Sequence, residues 1–238
     1  MSRARPVVAI DGPAGAGKST TARAVAAALG YTLVDTGSLY RAVALLARDA
    51  GVRLDDAAAV EGLAAEAVAT GALRLEGDGG ETRVMLGGSD PGDRIRTPEL
   101  SMGASTVSAY PGVREALLDA QRRFGRDGGV VLEGRDIGTV VFPDAEVKIY
   151  LTARPEVRAR RRFEELTNRG VSADFDETLS DVVRRDLQDA RRAIAPLRVA
   201  DDATLLDASE LTPDEVVARI VARVREVAGG VTSPRRGL

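Results

Sequence analysis

The run Gly12-Pro13-Ala14-Gly15-Ala16-Gly17-Lys18-Ser19 places a glycine-rich turn directly before a lysine and a hydroxyl. Glycines let the backbone curl so that successive N–H groups point at one anion, at the positive end of the helix that follows. A lysine at this spacing reaches the outer phosphates of a nucleoside triphosphate, and the adjoining serine hydroxyl can ligate Mg²⁺. The segment from Gly12 to Thr20 is therefore expected to cradle ATP phosphates, with Lys18 as a catalytic cation and Ser19 on the metal. Asp35 ends a second apolar run. It is a candidate carboxylate behind the metal's own ligands, or a strand-end aspartate capping the next turn.

What the chain lacks narrows the chemistry further. Its 238 residues contain no histidine and no cysteine. That excludes Ser-His-Asp and Cys-His nucleophiles, His/Cys zinc sites and disulfides. Of 33 basic residues only Lys18 and Lys148 are lysines. Carboxylates, hydroxyls, arginines and backbone amides remain, and these suit phosphoryl transfer, which runs on positioning and charge neutralisation. A net charge of -3 with 3% aromatic residues argues against a general nucleic-acid or anionic-membrane binder. No run of 18 apolar residues occurs, and residues 1–6 lack the apolar stretch of a signal peptide, so a soluble, cytoplasmic protein is expected.

The elements that must hold these groups follow from the apolar pattern. Val7-Val8-Ala9-Ile10 and the runs at 33–35, 130–132, 147–151 and 204–206 are short and apolar, with helical patterns between them. This predicts an α/β fold of the P-loop NTPase type: a five-stranded parallel sheet with helices on both faces. Helices are expected at 19–29 (stopped by Gly30), through about residue 48, at 154–166 and 179–193, and at 213–227 behind a Leu211-Thr212 cap. The stretch 62–98 breaks the rhythm. Leu73-Arg74-Leu75-Glu76 and Thr82-Arg83-Val84-Met85-Leu86, set among glycines, predict a small antiparallel insertion. Residues 229–238 read as a disordered tail.

The phosphoryl acceptor is the next question. No Asn-Lys-x-Asp element for guanine occurs, since Lys148 sits inside a strand run, and no apolar run ends in Asp-Glu as in many motor ATPases. A small-molecule kinase is the class left. Asp35-Thr36-Gly37-Ser38-Leu39-Tyr40-Arg41, Glu133-Gly134-Arg135-Asp136-Ile137-Gly138-Thr139-Val140-Val141-Phe142-Pro143 and Arg192-Ala193-Ile194-Ala195-Pro196-Leu197 resemble the bacterial cytidylate kinase family, in order and over nearly the whole chain.

The resemblance implies transfer from MgATP to CMP or dCMP. By the same resemblance Thr36, Arg41, Arg135 and Arg192 hold the acceptor phosphate, with Arg135 and Arg192 also catalytic. Asp136, Arg114 and Ser105 read the base, and Arg185 and Asp189 lie near the ribose. Planar guanidinium forks suit phosphate, and a carboxylate beside donors suits the amino group and acceptors of cytosine. Glu133 stands where an aspartate is also found, so its role stays open.

Arg154, Arg158, Arg160, Arg161 and Arg162, with Arg169 beyond, form either a solvated helix face supported by Glu156, Glu164 and Glu165, or a lid closing over ATP, as the resemblance implies. The expected layout is one kinase unit over 1–228. Its core comprises 6–35, 106–153 and 199–228, with an acceptor-binding region including the insertion at about 36–105 and a lid at about 154–198. A monomer is expected, with ATP and CMP or dCMP as ligands and no nucleic-acid or membrane partner. The alternatives are a P-loop kinase for shikimate or another nucleotide, and a nucleotide-switched regulator or RNA-binding module.

Overall fold

A computed structural model describes residues 3–77, 79–168 and 170–231. The expectations for Arg169 and for residues 232–238 lie outside these. Along the chain run β1 (Val7–Asp11), α1 (Lys18–Leu29), β2 (Thr32–Asp35), α2 (Thr36–Asp49), α3 (Ala57–Ala69), β3 (Leu73–Glu76) and β4 (Arg83–Leu86). They are followed by α4 (Pro98–Val107), α5 (Pro111–Arg123), β5 (Val130–Gly134), β6 (Val147–Thr152), α6 (Pro155–Asn168), α7 (Phe175–Arg191), β7 (Thr204–Asp207) and α8 (Pro213–Val231). The five apolar runs form one sheet in the order β2-β5-β1-β6-β7, every pairing parallel.

Alternation along the strands divides the interior in two. Val7, Ala9, Val34, Val130 and Leu132 face one apolar cluster, built with α2, α3, α4 and α5. Val8, Ile10, Leu33, Val131 and Ile149 face the other, built with α1 and α8. Successive side chains of a strand point to opposite faces, so a strand apolar at every position must be covered on both. Leu132 and Ile10 are fully buried, each contributing about 1.5–3 kcal/mol by burial.

The antiparallel insertion is narrower than the sequence suggests. Residues 62–69 belong to α3, where Val60, Ala64 and Ala67 present a buried stripe at helical spacing. Gly62 is tolerated inside this alanine-rich run despite its cost in a helix. The antiparallel ladder is the pair β3 and β4, from Leu73↔Leu86 to Glu76↔Arg83. Their connection returns to the sheet: Leu33 N–H donates to the Gly80 carbonyl, Thr82 N–H donates to the Leu33 carbonyl, and Arg23 pairs with Glu81 at 2.6 Å. The insertion thus covers the free edge of β2, where unpaired strand groups would otherwise remain.

Two further differences concern helix ends. α8 continues to Val231, so Gly229-Gly230-Val231 are helical rather than part of a tail. α7 begins at Phe175, because the Asp174 side chain caps it by accepting from Glu177 N–H, and it stops at Arg191, with Arg192 leaving the helix.

At the head of the phosphate loop, Gly12 has φ +150°, and a Cβ there would lie 1.9 Å from the Leu151 carbonyl oxygen. Only a residue without a side chain permits that approach. Gly12→Ala is expected to destabilise the protein by about 3 kcal/mol or more, seen as a drop of several degrees in the thermal unfolding midpoint.

Candidate active site

Parallel register brings the polar strand ends to one level. Asp11 at the end of β1 is opposite Gly134 of β5, and Asp35 of β2 is opposite Glu133. Ligands of open α/β sheets bind beyond these carboxyl ends. Here the ends border a cavity of about 840 Å³ that is lined by the phosphate loop, Arg41, Ser105, Arg114, Asp136 and Arg192 among others.

The phosphate loop enters α1 with Gly15 and Gly17 at positive φ. The Lys18 ammonium is buried and donates to the Pro13 carbonyl at 2.7 Å, which sets it across the loop's own mouth. Burial, and then the Arg135 guanidinium, push its pKa well down, with Glu133 opposing them. Ser19 Oγ donates to Glu133 Oε2 at 2.9 Å. Burial, followed by the charge of Asp35, lifts the Glu133 carboxyl to about 6. Glu133 is therefore the carboxylate that touches the serine, a role the sequence leaves open. Asp35 caps α2, accepting from Ser38 N–H at 3.1 Å, and pairs with Arg41 at 2.6 Å. It caps the next helix, and its charge acts on Glu133 of the Ser19–Glu133 pair.

The acceptor side is assembled from α4, α5, the chain after β5, and α7. Buried Arg114 on α5 pairs with buried Asp136, which follows β5, and its guanidinium lies 5.8 Å from the centre of the Tyr40 ring. Burial pushes the Asp136 carboxyl up against the pull of Arg114 and Arg192. Ser105 on α4 donates to Asp189 Oδ1 at 2.9 Å, and Arg135 Nε donates to Asp189 Oδ2 at 2.8 Å. Burial opposes ionisation of Asp189, but Arg135, Arg185 and Arg192 outweigh it and hold the carboxyl below its ordinary value. Arg185 lies one turn before Asp189 on α7; its Nε is buried without a partner, and burial and Arg135 push its pKa down to about 9. It stays charged at neutral pH.

Arg192 Nη1 donates to Ser108 Oγ at 2.8 Å, while its Nη2 is buried and unpaired. Thr36 Oγ1 donates to the Glu133 carbonyl at 2.7 Å, so its proton is engaged inside the fold.

The arginines of α6 and the one directly before it differ in what they hold. Arg158 is buried and donates to the Ala14 and Ala153 carbonyls while pairing with Asp186 of α7 at 2.7 Å. Arg161 donates to the Ala16 and Ala208 carbonyls. These two tie α6 to the phosphate loop. Arg154 pairs with Glu210 on the surface, Arg162 with Glu165, and Arg160 stacks over Phe175 at 4.2 Å.

Three residues go unnoticed by sequence reasoning: Asp11, Ser108, and Arg158 as a loop anchor. Asp11 had a readable signal, because a charged residue directly following four apolar ones at a strand end must be compensated. Its two oxygens accept from Ile137 and Gly138 N–H, both at 2.8 Å. These donors start the π-helical turn Ile137–Val141, so Asp11 fixes the chain directly after Arg135-Asp136.

A phosphate loop facing a guanidinium-lined acceptor pocket across one cavity, on a five-stranded parallel sheet, defines a P-loop kinase. The model of the cytidylate kinase family matches residues 8–226, and the chain belongs to that family, whose members are nucleoside monophosphate kinases. The cytidylate kinase of Citrifermentans bemidjiense is 48% identical over 220 residues, covering 92% of this chain and 93% of that protein. The cytidylate kinase of Pasteurella multocida is 44% identical over 220 residues, covering 92% and 95%. Among solved structures, an uncharacterized protein from Eubacterium ventriosum ATCC 27560 shares the fold at 11% identity, with a TM-score of 0.50 over 93% of this chain and 99% of that one.

Burial lifts the Asp11 carboxyl from 3.8 to about 6, against the two backbone N–H groups that favour its charged form. A carboxyl whose folded pKa is raised adds stability below its unfolded pKa and loses it as pH rises through the folded one. Asp11→Asn does not titrate. The stability margin of the parent protein over this variant is expected to narrow from about pH 4 to about pH 7, measured as urea midpoints along a pH series.

Proposed function

We propose that the chain transfers the γ-phosphoryl group of MgATP to CMP or dCMP, giving ADP and CDP or dCDP. The observation that carries this reading is the buried Arg114–Asp136 pair lying in the same cavity as the phosphate loop. Cytosine offers an amino donor at position 4 and acceptors at N3 and O2. Asp136 accepts from the first and Arg114 donates to the others, joined by Ser105 once its hydroxyl turns from Asp189 Oδ1 toward the base. Uracil would turn a carbonyl toward Asp136, and an unsatisfied buried polar pair costs about 1–3 kcal/mol.

In this reading Gly12–Thr20 hold the donor phosphates, while Lys18, Arg135 and Arg192 neutralise charge as the phosphoryl group crosses. Arg41 and Thr36 line the acceptor phosphate. The ribose lies against Arg185 and Asp189. No general base is required, because the acceptor is a phosphate monoester, already anionic near neutral pH.

Mg²⁺ fits the residues present. Ser19 supplies a hydroxyl, with buried Glu133 hydrogen-bonded behind it and Asp35 near. Mg²⁺ commonly keeps several waters and is held by few protein groups plus substrate phosphates. When bound, the ion screens the donor's phosphate charge.

The segment 154–198 acts as the lid, and its closure excludes the water that would compete as acceptor. Arg158 and Arg161 are the lid arginines already set on the phosphate loop. Residues 36–105 form the acceptor-binding region of a single kinase unit. The protein acts as a cytoplasmic monomer without nucleic-acid or membrane partners, and no described helix is long and apolar enough to cross a membrane.

A coupled ADP-release assay with CMP, dCMP, UMP, AMP and shikimate tests the reading. CMP and dCMP should be turned over far faster than the rest, and equal rates with UMP would refute base reading by Asp136. Asp136→Asn is expected to lower kcat/KM for CMP by about ten- to a hundredfold, and that for UMP by less. An equal loss for both would move Asp136 to phosphate or metal positioning.

A further inference from the structure

We infer that Ser108 is a positioning residue that aims Arg192 at the acceptor phosphate, through a hydrogen-bonded link between the end of α4 and the end of α7. The inference rests on the reading of the cavity as a CMP site. Ser108 is buried and sits just past the last turn of α4. Its hydroxyl donates to the Ser105 carbonyl at 2.9 Å, one helical turn back. With the proton fixed there, only the oxygen lone pairs remain for a partner. That partner is Arg192 Nη1, at 2.8 Å.

Arg192 is held at a second point, where its Nε donates to the Asp189 carbonyl at 3.3 Å. The same carbonyl accepts from Leu197 N–H at 2.8 Å, which folds the chain after α7 back onto the helix end. Two arms of the guanidinium are thus tied to the protein. The third nitrogen, Nη2, is buried, unpaired and part of a residue lining the cavity. A buried donor with no protein partner is costly unless a ligand meets it, and an anionic oxygen is the group it fits.

The backbone of Ser108 serves the base side as well. Its carbonyl accepts from Arg114 Nη1 at 3.3 Å, next to the Arg114–Asp136 pair. Side chain and main chain of one residue therefore hold two arginines: Arg192 for the phosphate and Arg114 for the base. Replacing the side chain by alanine removes the first contact and leaves the second. The two roles can be separated by experiment.

The test is titration calorimetry of CMP, cytidine and ATP against the parent protein, Ser108→Ala, Arg192→Lys and the double variant, with unfolding midpoints recorded for each. A hydrogen bond to a charged group supports an expected loss of roughly tenfold in CMP affinity for Ser108→Ala. Cytidine and ATP affinities should hold within about twofold, and the Ser108 effect on CMP should vanish in the Arg192→Lys background. Equal losses for cytidine and CMP would overturn the assignment, because the residue would then act on the base-reading end of α4. So would an effect that persists without Arg192, or CMP binding unchanged in Ser108→Ala. A parent protein that does not bind CMP would overturn the functional reading itself, and the Ser108 role with it.

Discussion

Because β1 pairs in parallel with β5, and Asp11 falls level with Gly134, the phosphate loop and the Arg135-Asp136 segment leave the sheet side by side. Every functional distance above the sheet depends on that register. A slip of one residue would reverse which side chains face each cluster, taking Leu132 and Val131 off their packed faces. Asp11 reinforces the pairing at the point where the strands end, since its carboxylate bonds the chain after β5 directly to the end of β1. The donor and acceptor sides of the cavity are therefore one piece of structure.

Charge in the cavity is arranged in pairs, with a few groups left over. Arg114 faces Asp136, Arg135 faces Asp189, and Arg41 faces Asp35. Each pair lowers the cost of burying its members. Three guanidinium donors of this cavity, Arg41 Nε, Arg185 Nε and Arg192 Nη2, lie buried without hydrogen-bond partners. Guanidinium donors left over in this way suit an anionic ligand. The pairing explains how so many guanidinium groups can be held together near one another.

The strands and the phosphate loop are legible in the sequence because both depend on local pattern. Four apolar residues followed by a glycine-rich turn leave few other arrangements for Val7–Asp11. The position of Arg135 and Asp136 at a strand end is legible for the same reason. α3 is misjudged in part because Gly62 looks like punctuation, while the deciding stripe of Val60, Ala64 and Ala67 shows itself through packing. Asp35 and Glu133 are both strand-end acids, and the sequence does not say which meets Ser19. Pairing across β2 and β5 decides it. Ser108 has no local signature at all, since its importance comes from Arg192, 84 residues away.

The near absence of lysine has a consequence for the chemistry of the surface. Both lysines are buried, and each donates to the carbonyl of a proline five residues earlier, Lys18 to Pro13 and Lys148 to Pro143. Lys148 is further held by Asp202. Guanidinium groups resist the acylating reagents and acetyl donors that label ammonium side chains, because they stay protonated. The exterior therefore offers such reagents no lysine target. Of the two side-chain amines in the molecule, Lys18 sits in the phosphate loop, where, under the proposed function, a bound triphosphate would shield it. Side-chain amine labelling, usually diffuse, would here read out little besides nucleotide occupancy and the integrity of the chain where β6 begins.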